Sequence, residues 1–278
     1  MMASLPKARS SAVTAGLAVV LAALATHASA SSLMPHRASY LLTLDPSRPS
    51  QKLDAADGRI DYEIRGDACT GYTVNLHQAN SLDTGEGSPV TSDMLSTSWE
   101  DGKGEAYRFK TMNRLGGAVK SDVDGIVSRT SEGLNVQITK PRSETLELKG
   151  DILMPTEHVT KVLERAKAGD SVFEARVFDG SENGEKLYNT LAVIGRSGTT
   201  GPDMPDSARS ALAGQTVYPI TVSYFDTASA SQTPDYVMSF SLYESGVIGD
   251  MKIDYNDFVL KGSLQSFEAL KAGATCEK

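Results

Sequence analysis

The residues of this chain that could carry chemistry are few and far apart: His27, His36, His77 and His158, the cysteines Cys69 and Cys276, and many carboxylates. Zinc hydrolysis asks for two histidines one helical turn apart, as in HExxH, and no such pair occurs. A serine nucleophile on an elbow reads GxSxG; the nearest text, Gly195-Arg196-Ser197-Gly198, lacks it. Triads assemble from distant segments, so an envelope hydrolase stays the least favoured of three functional readings. Paired carboxylates such as Asp250 and Asp254 are too common in an acidic chain to mark a glycosidase. The stretch Asp179 to Glu185 resembles a calcium loop until its twelfth position, where Thr190 stands in place of a bidentate glutamate; it reads as a β-turn. His36 beside Arg37 reads as a strand-edge residue rather than an anion site. His158 reads as solvent-exposed near a helix start, and His77 as the end of a strand. The sequence names no catalytic residue, no metal ligand and no cofactor.

What positions these residues begins with an address. Lys7 and Arg9 precede an acid-free apolar run, Ala12 to Ala25, and then the small-residue site Ala28-Ser29-Ala30. This is the grammar of a secretory signal peptide, with cleavage expected after Ala30. The apolar run is shorter than the roughly 20 residues of a membrane-spanning helix, so residues 1–30 read as a leader and not as a retained anchor. No cysteine follows the cleavage site to accept a lipid. Residues 31–278 are expected to form a single β-rich periplasmic domain. The leader carries two basic residues and no acidic one, so its loss takes the formal charge from −8 to about −10. With no basic block, nucleic acid and anionic membrane are poor partners. An even cysteine pair in an oxidising compartment points to a structural disulfide between Cys69 and Cys276.

The mature chain reads as short strands. Tyr40, Leu42 and Leu44 alternate with period two before Pro46, and Ile60, Tyr62 and Ile64 do the same. Further strands are predicted at 72–76, 99–101, 106–112, 118–122, 125–129, 134–139, 145–148, 172–178, 187–194, 216–225, 236–242, 246–255 and 257–264, with Asp124-Gly125 as a hairpin turn. One central helix is predicted from Pro155 or Thr156 to Gly169, with Val159, Val162, Leu163 and Ala166 on its apolar face. It is expected to pack on, or plug, the β-structure. The Gly- and Pro-rich segment 195–206 reads as a loop within one domain, and 264–271 as a short C-terminal helical turn. Tyrosines recur in and beside the strands. In a curled sheet some would line an apolar pocket, with Trp99 as its reporter.

The segment His36-Arg37-Ala38-Ser39-Tyr40-Leu41-Leu42-Thr43-Leu44, the stretch Gly58 to Cys69, Trp99, the Phe178-Asp179-Gly180 turn and the Asp254-Tyr255-Asn256-Asp257-Phe258 region together resemble the EipB family of periplasmic cell-envelope integrity proteins. The resemblance implies a mainly β fold, a single large antiparallel sheet that is spiral or half-barrel-like, and a disulfide mapping onto Cys69 and Cys276. It also implies a non-enzymatic part in envelope integrity but supplies no mechanism; export, an acidic surface, a stapled β-fold and the absence of a catalytic constellation make interaction or scaffolding with periplasmic or envelope proteins the leading reading. The outline of the fold resembles the curved half-barrels of lipoprotein carriers, an analogy that adds a second reading: a carrier of lipid or another apolar ligand.

Overall fold

The computed structural model describes residues 32–48, 50, 52–199 and 201–271. The leader with its site at Ala30, and Cys276, lie outside them. The first meander runs β1 (His36–Leu44), β2 (Ala55–Asp67), β3 (Gly71–Asp83), β4 (Val90–Glu100), β5 (Ala106–Leu115), β6 (Ala118–Thr130), β7 (Gly133–Lys140) and β8 (Glu144–Lys149). Helix α1 (Pro155–Ala168) follows, then β9 (Val172–Phe178), β10 (Leu187–Ile194), the short helix α2 (Asp206–Ala211), β11 (Val217–Asp226), β12 (Tyr236–Tyr243), β13 (Ile248–Asp254) and β14 (Val259–Ala269). All fourteen strands form one antiparallel sheet, ordered β8 back to β1 and then β14 back to β9. Every neighbouring pair is consecutive in sequence except β1 and β14, which join the two meanders. The end strands β8 and β9 do not pair with each other, so the sheet is not closed into a barrel.

Instead it curls over itself. Side chains that alternate to one face of β2 and β3, Ile64 and Tyr72, share a buried cluster with Ala192, Ile220 and Leu242 of β10, β11 and β12, and α1 inserts Val162, Leu163 and Ala166 between them. At the far end, the connection from β9 to β10 lies against β5, β6 and β7. Tyr107 donates its hydroxyl to the Asp179 carbonyl at 3.0 Å, and Phe178 and Leu187 are buried with Phe109, Val123 and Ile138. This overlap of one end on the inner face of the other makes the sheet a spiral with α1 inside it.

Helix α1 begins with Pro155 at its first turn and ends at Gly169, which adopts φ 84°. Its N-cap, Met154, has no side-chain oxygen to offer. The missing acceptor comes from the sheet: Glu100 accepts the backbone N–H groups of Thr156 and Glu157, both at 2.7 Å. Arg129 adds a clamp, donating to Glu157 at 2.7 Å and to the carbonyls of Gly104 and Ile152.

Several expectations are corrected. The segment expected to form a C-terminal helical turn, 264–271, is strand to Ala269. A bulge opposite Ser39 and Tyr40 takes up one extra residue in β14, which places the buried Leu264 and Phe267 three apart and imitates helical spacing. Asp124-Gly125 is not a hairpin turn; β6 runs through it, β7 takes up one extra residue, Thr139, opposite it, and Gly125 lies beneath the Phe109 ring. The segment 195–206 leads into α2, a second helix whose Ala208 and nearby Leu212 share a buried cluster with Tyr40, Leu264 and Phe267. His158, expected in solvent, is 5% exposed and takes the inward position on α1, while Val159 faces out.

Candidate functional site

The three histidines among the described residues occupy three unrelated settings. His36 is buried, its Nδ1 2.7 Å from the Met34 carbonyl and its ring between Tyr62 and Phe267; burial, opposed by that carbonyl, lowers its pKa. His77 projects from the opposite face of the sheet and meets Asp93 at 2.8 Å. His158 lies against Phe173 and Tyr224, 3.3 Å from the Thr190 hydroxyl, and burial drops its pKa to about 4. Among the described residues no three His, Cys, Asp or Glu side chains are grouped to hold a metal ion.

What the fold does assemble is an aromatic string on the inner face. Register places Tyr224 of β11 opposite Tyr236 of β12, and their rings stack at 4.4 Å. Tyr188 of β10 meets both edge to face at 5.6 and 5.9 Å, and Tyr255 and Phe258 extend the string at 6.3 and 5.1 Å. His158 touches its inner end through Tyr224, so the string runs from α1 outward. Tyr224, Tyr236, Tyr255 and Phe258 are only half-buried, as are Met238 and Phe240 beside them. Across the concavity, Gln78 of β3 hydrogen-bonds the Tyr255 hydroxyl, although four strand boundaries separate β3 from β13 in the sheet. One part of the interior is thus filled by α1, and another is lined by partly buried aromatic and thioether side chains, with the Gln78 amide reaching Tyr255 from the opposite wall.

The hydroxyls of the string stay protonated. Burial pushes the Tyr188 hydroxyl up to about 12 and raises those of Tyr224, Tyr236 and Tyr255, so all remain neutral hydrogen-bonding groups. Asp179, beside these rings, is raised by desolvation against the opposing bonds from Ser181. Lys186, with its side chain 10% exposed, lies between Glu182, Asp226 and Asp235 at 2.8, 3.0 and 3.1 Å, and above the Tyr188 ring. Desolvation works against its charge, but the three carboxylates raise its pKa and lock the β9–β10 connection to β11 and the loop before β12.

Sequence reasoning found the tyrosines and the helix that meets them, but missed the buried Glu100 and the partly buried Asp179 and Lys186. Nothing in a linear reading marks Glu100, because the inward positions of β4 before it are Ser92, Met94, Ser96 and Ser98, with no apolar alternation. Trp99 belongs to the outer face, opposite Glu100, with the Arg108 guanidinium 5.8 Å from its ring, so it cannot report on the lumen.

Comparison with known proteins agrees with this architecture. A solved structure from Brucella abortus, described as a beta-barrel-like protein, superposes with a TM-score of 0.80 at 31% identity, covering 86% of this chain and 99% of that one. The cell envelope integrity protein EipB of Brucella abortus (strain 2308) is 32% identical over 250 residues, 90% of this chain and 89% of the relative. No helix among the described residues is long and apolar enough to cross a membrane. The family described as EipB-like matches residues 27–271, most of the chain, and this chain is a member of it.

Proposed function

We propose that the protein is a non-enzymatic periplasmic component that supports cell-envelope integrity by interacting with other envelope molecules. The observation that carries this reading is the 32% identity, over 90% of the chain, to a relative named for that role. A strain lacking the protein is expected to lose tolerance to detergent and to envelope-directed antibiotics, and to regain it with the full-length gene. Normal tolerance in the deletion strain overturns the reading. The address is checked by N-terminal sequencing of the exported protein, expected to begin at Ser31.

The partly buried string from Tyr224 to Phe258 supports a second reading, in which the interior beside it opens to hold a lipid or other apolar ligand. Aromatic and methionine side chains offer adaptable apolar area, and tyrosine hydroxyls with Gln78 offer orienting polar groups. Native mass spectrometry of gently purified protein is expected to show a bound lipid that Met238→Glu releases. Protein that is ligand-free after gentle purification, and that takes up none from added phospholipid, overturns it.

A further inference from the structure

The opposite face of the sheet carries a concavity of about 690 Å³ bounded entirely by β14, β1, β2, β3 and β4. Its size falls in the range of small-molecule sites. It is lined by polar side chains that already hold one another in place. Asp61 accepts from Ser39 and from Arg59. Arg37 bridges Glu63 and Glu268, and Arg65 donates to the second oxygen of Glu63 at 2.6 Å. Thr97 donates to Asn75 at 3.0 Å, and Leu95, 40% exposed, adds an apolar patch.

This arrangement excludes most ligand classes. An anion would meet Asp61, Glu63 and Glu268; a cation would compete with arginines already paired to those carboxylates. A purely apolar ligand would strip water from every ion pair in the groove without replacing it. An added peptide strand needs a free sheet edge, and all five strands are paired on both sides. What fits is a neutral molecule rich in hydroxyl groups, each able to donate and accept. The pre-ordered carboxylates, guanidinium groups and the Asn75 amide supply both partners, and Leu95 covers a C–H face.

We propose that this groove on the outer face binds a neutral saccharide, a site separate from the lumen and independent of whether the lumen holds an apolar ligand. Asp61 and Glu63 stay ionised at neutral pH and so remain acceptors for sugar hydroxyls. Bonds from Arg65 hold Glu63 at about 2, and although desolvation works against the charge on Asp61, the bonds from Ser39 and Arg59 outweigh it and lower its pKa.

The test is amide NMR of the isotope-labelled, full-length mature protein titrated with chitotriose, maltotriose and a sulfated oligosaccharide of similar length. At least one neutral trisaccharide is expected to give saturable shifts centred on Ser39, Asn75 and Thr97. Binding should weaken about tenfold in the Asn75→Ala/Thr97→Val variant, as hydrogen bonds to sugar hydroxyls are lost. Leu95→Glu, a change at an exposed position, gives a second weakened variant should the first lose its native spectrum. No saturable shift with either neutral sugar up to about 10 mM, the weak end of specific binding, overturns the proposal. So do shifts confined to other strands, or binding of the sulfated sugar alone.

Discussion

His158 and Glu100 are buried titratable groups, 5% and 3% exposed, whose charge the fold suppresses in opposite senses. Burial lowers His158 to about 4, so between pH 6.5 and 4 the unfolded chain binds the extra proton. His158 therefore stabilises the fold above pH 6.5, and its contribution is lost as pH falls through 4. Burial raises Glu100 to about 7 against the bonds from Thr156 and Glu157, so between pH 4.5 and 7 the folded protein binds the extra proton. Its ionisation makes stability fall as pH rises through that window. Each of these displacements is worth at most about 3 kcal/mol, and over pH 4.5–6.5 the two slopes oppose each other. In denaturant melts across this range, His158→Phe is expected to tilt the wild-type profile so that stability falls with rising pH, and Glu100→Gln to tilt it the other way. Parallel profiles for all three proteins would contradict the assignment. Neither group was legible in the sequence: His158 stands near a helix start where exposure is the ordinary case, and Glu100 ends a strand with no apolar pattern.

At the scale of elements, Gly125 shows how one missing side chain makes room for a ring from the neighbouring strand. A Cβ there would lie 2.5 Å from the Phe109 ring, and one on Gly180, which adopts φ 72°, would lie 2.5 Å from the same ring. Phe109 is thus held between β6 and the overlapping β9–β10 connection, where the spiral laps itself. Gly125→Ala is expected to cost about 1–3 kcal/mol by overpacking, and adding Phe109→Leu should return part of that cost, giving a non-additive cycle in chemical denaturation. Strict additivity would mean that the ring is not the obstacle. The Asp-Gly pair reads as a turn because turn chemistry selects glycine, but so does the close approach of a ring from a neighbouring strand, and only the partner strand tells them apart. Strands with strict alternation or dense apolar content, such as β9 and β10, are legible to within a residue. Those whose inward positions are polar, as in β4, or whose period is broken by a bulge, as in β14, are not. The curled, mainly β architecture was readable from the repeated short alternations and the family likeness. The site itself depends on register between distant strands, which pattern alone does not fix.

At the scale of the whole molecule, among the described residues the strands of the two meanders pair with each other only where β1 meets β14, so the first and last strands share one seam. Ala269 pairs with His36, and His36 pairs on its other side with Ile64 of β2. Cys69, in the turn between β2 and β3, is five residues beyond Ile64 at the same end of the sheet. Two strand spacings across and five residues along put it roughly 20 Å from Ala269, and the seven residues from Ala269 to Cys276 extend about 23 Å. The reach is sufficient, which supports the proposed Cys69–Cys276 disulfide as a staple holding the last strand of the second meander to the first. The bridge would close a loop of some 200 residues, worth up to about 5 kcal/mol by chain entropy and less once residual unfolded structure is counted. Cys69→Ser is expected to change mobility in non-reducing electrophoresis and to lower stability by a few kcal/mol. Because the seam is the only backbone link between the meanders across the sheet, the loss should appear first as faster amide exchange along β14 and β1, before β5 to β7. Uniform exchange with unchanged melting would show that the seam holds without the bridge.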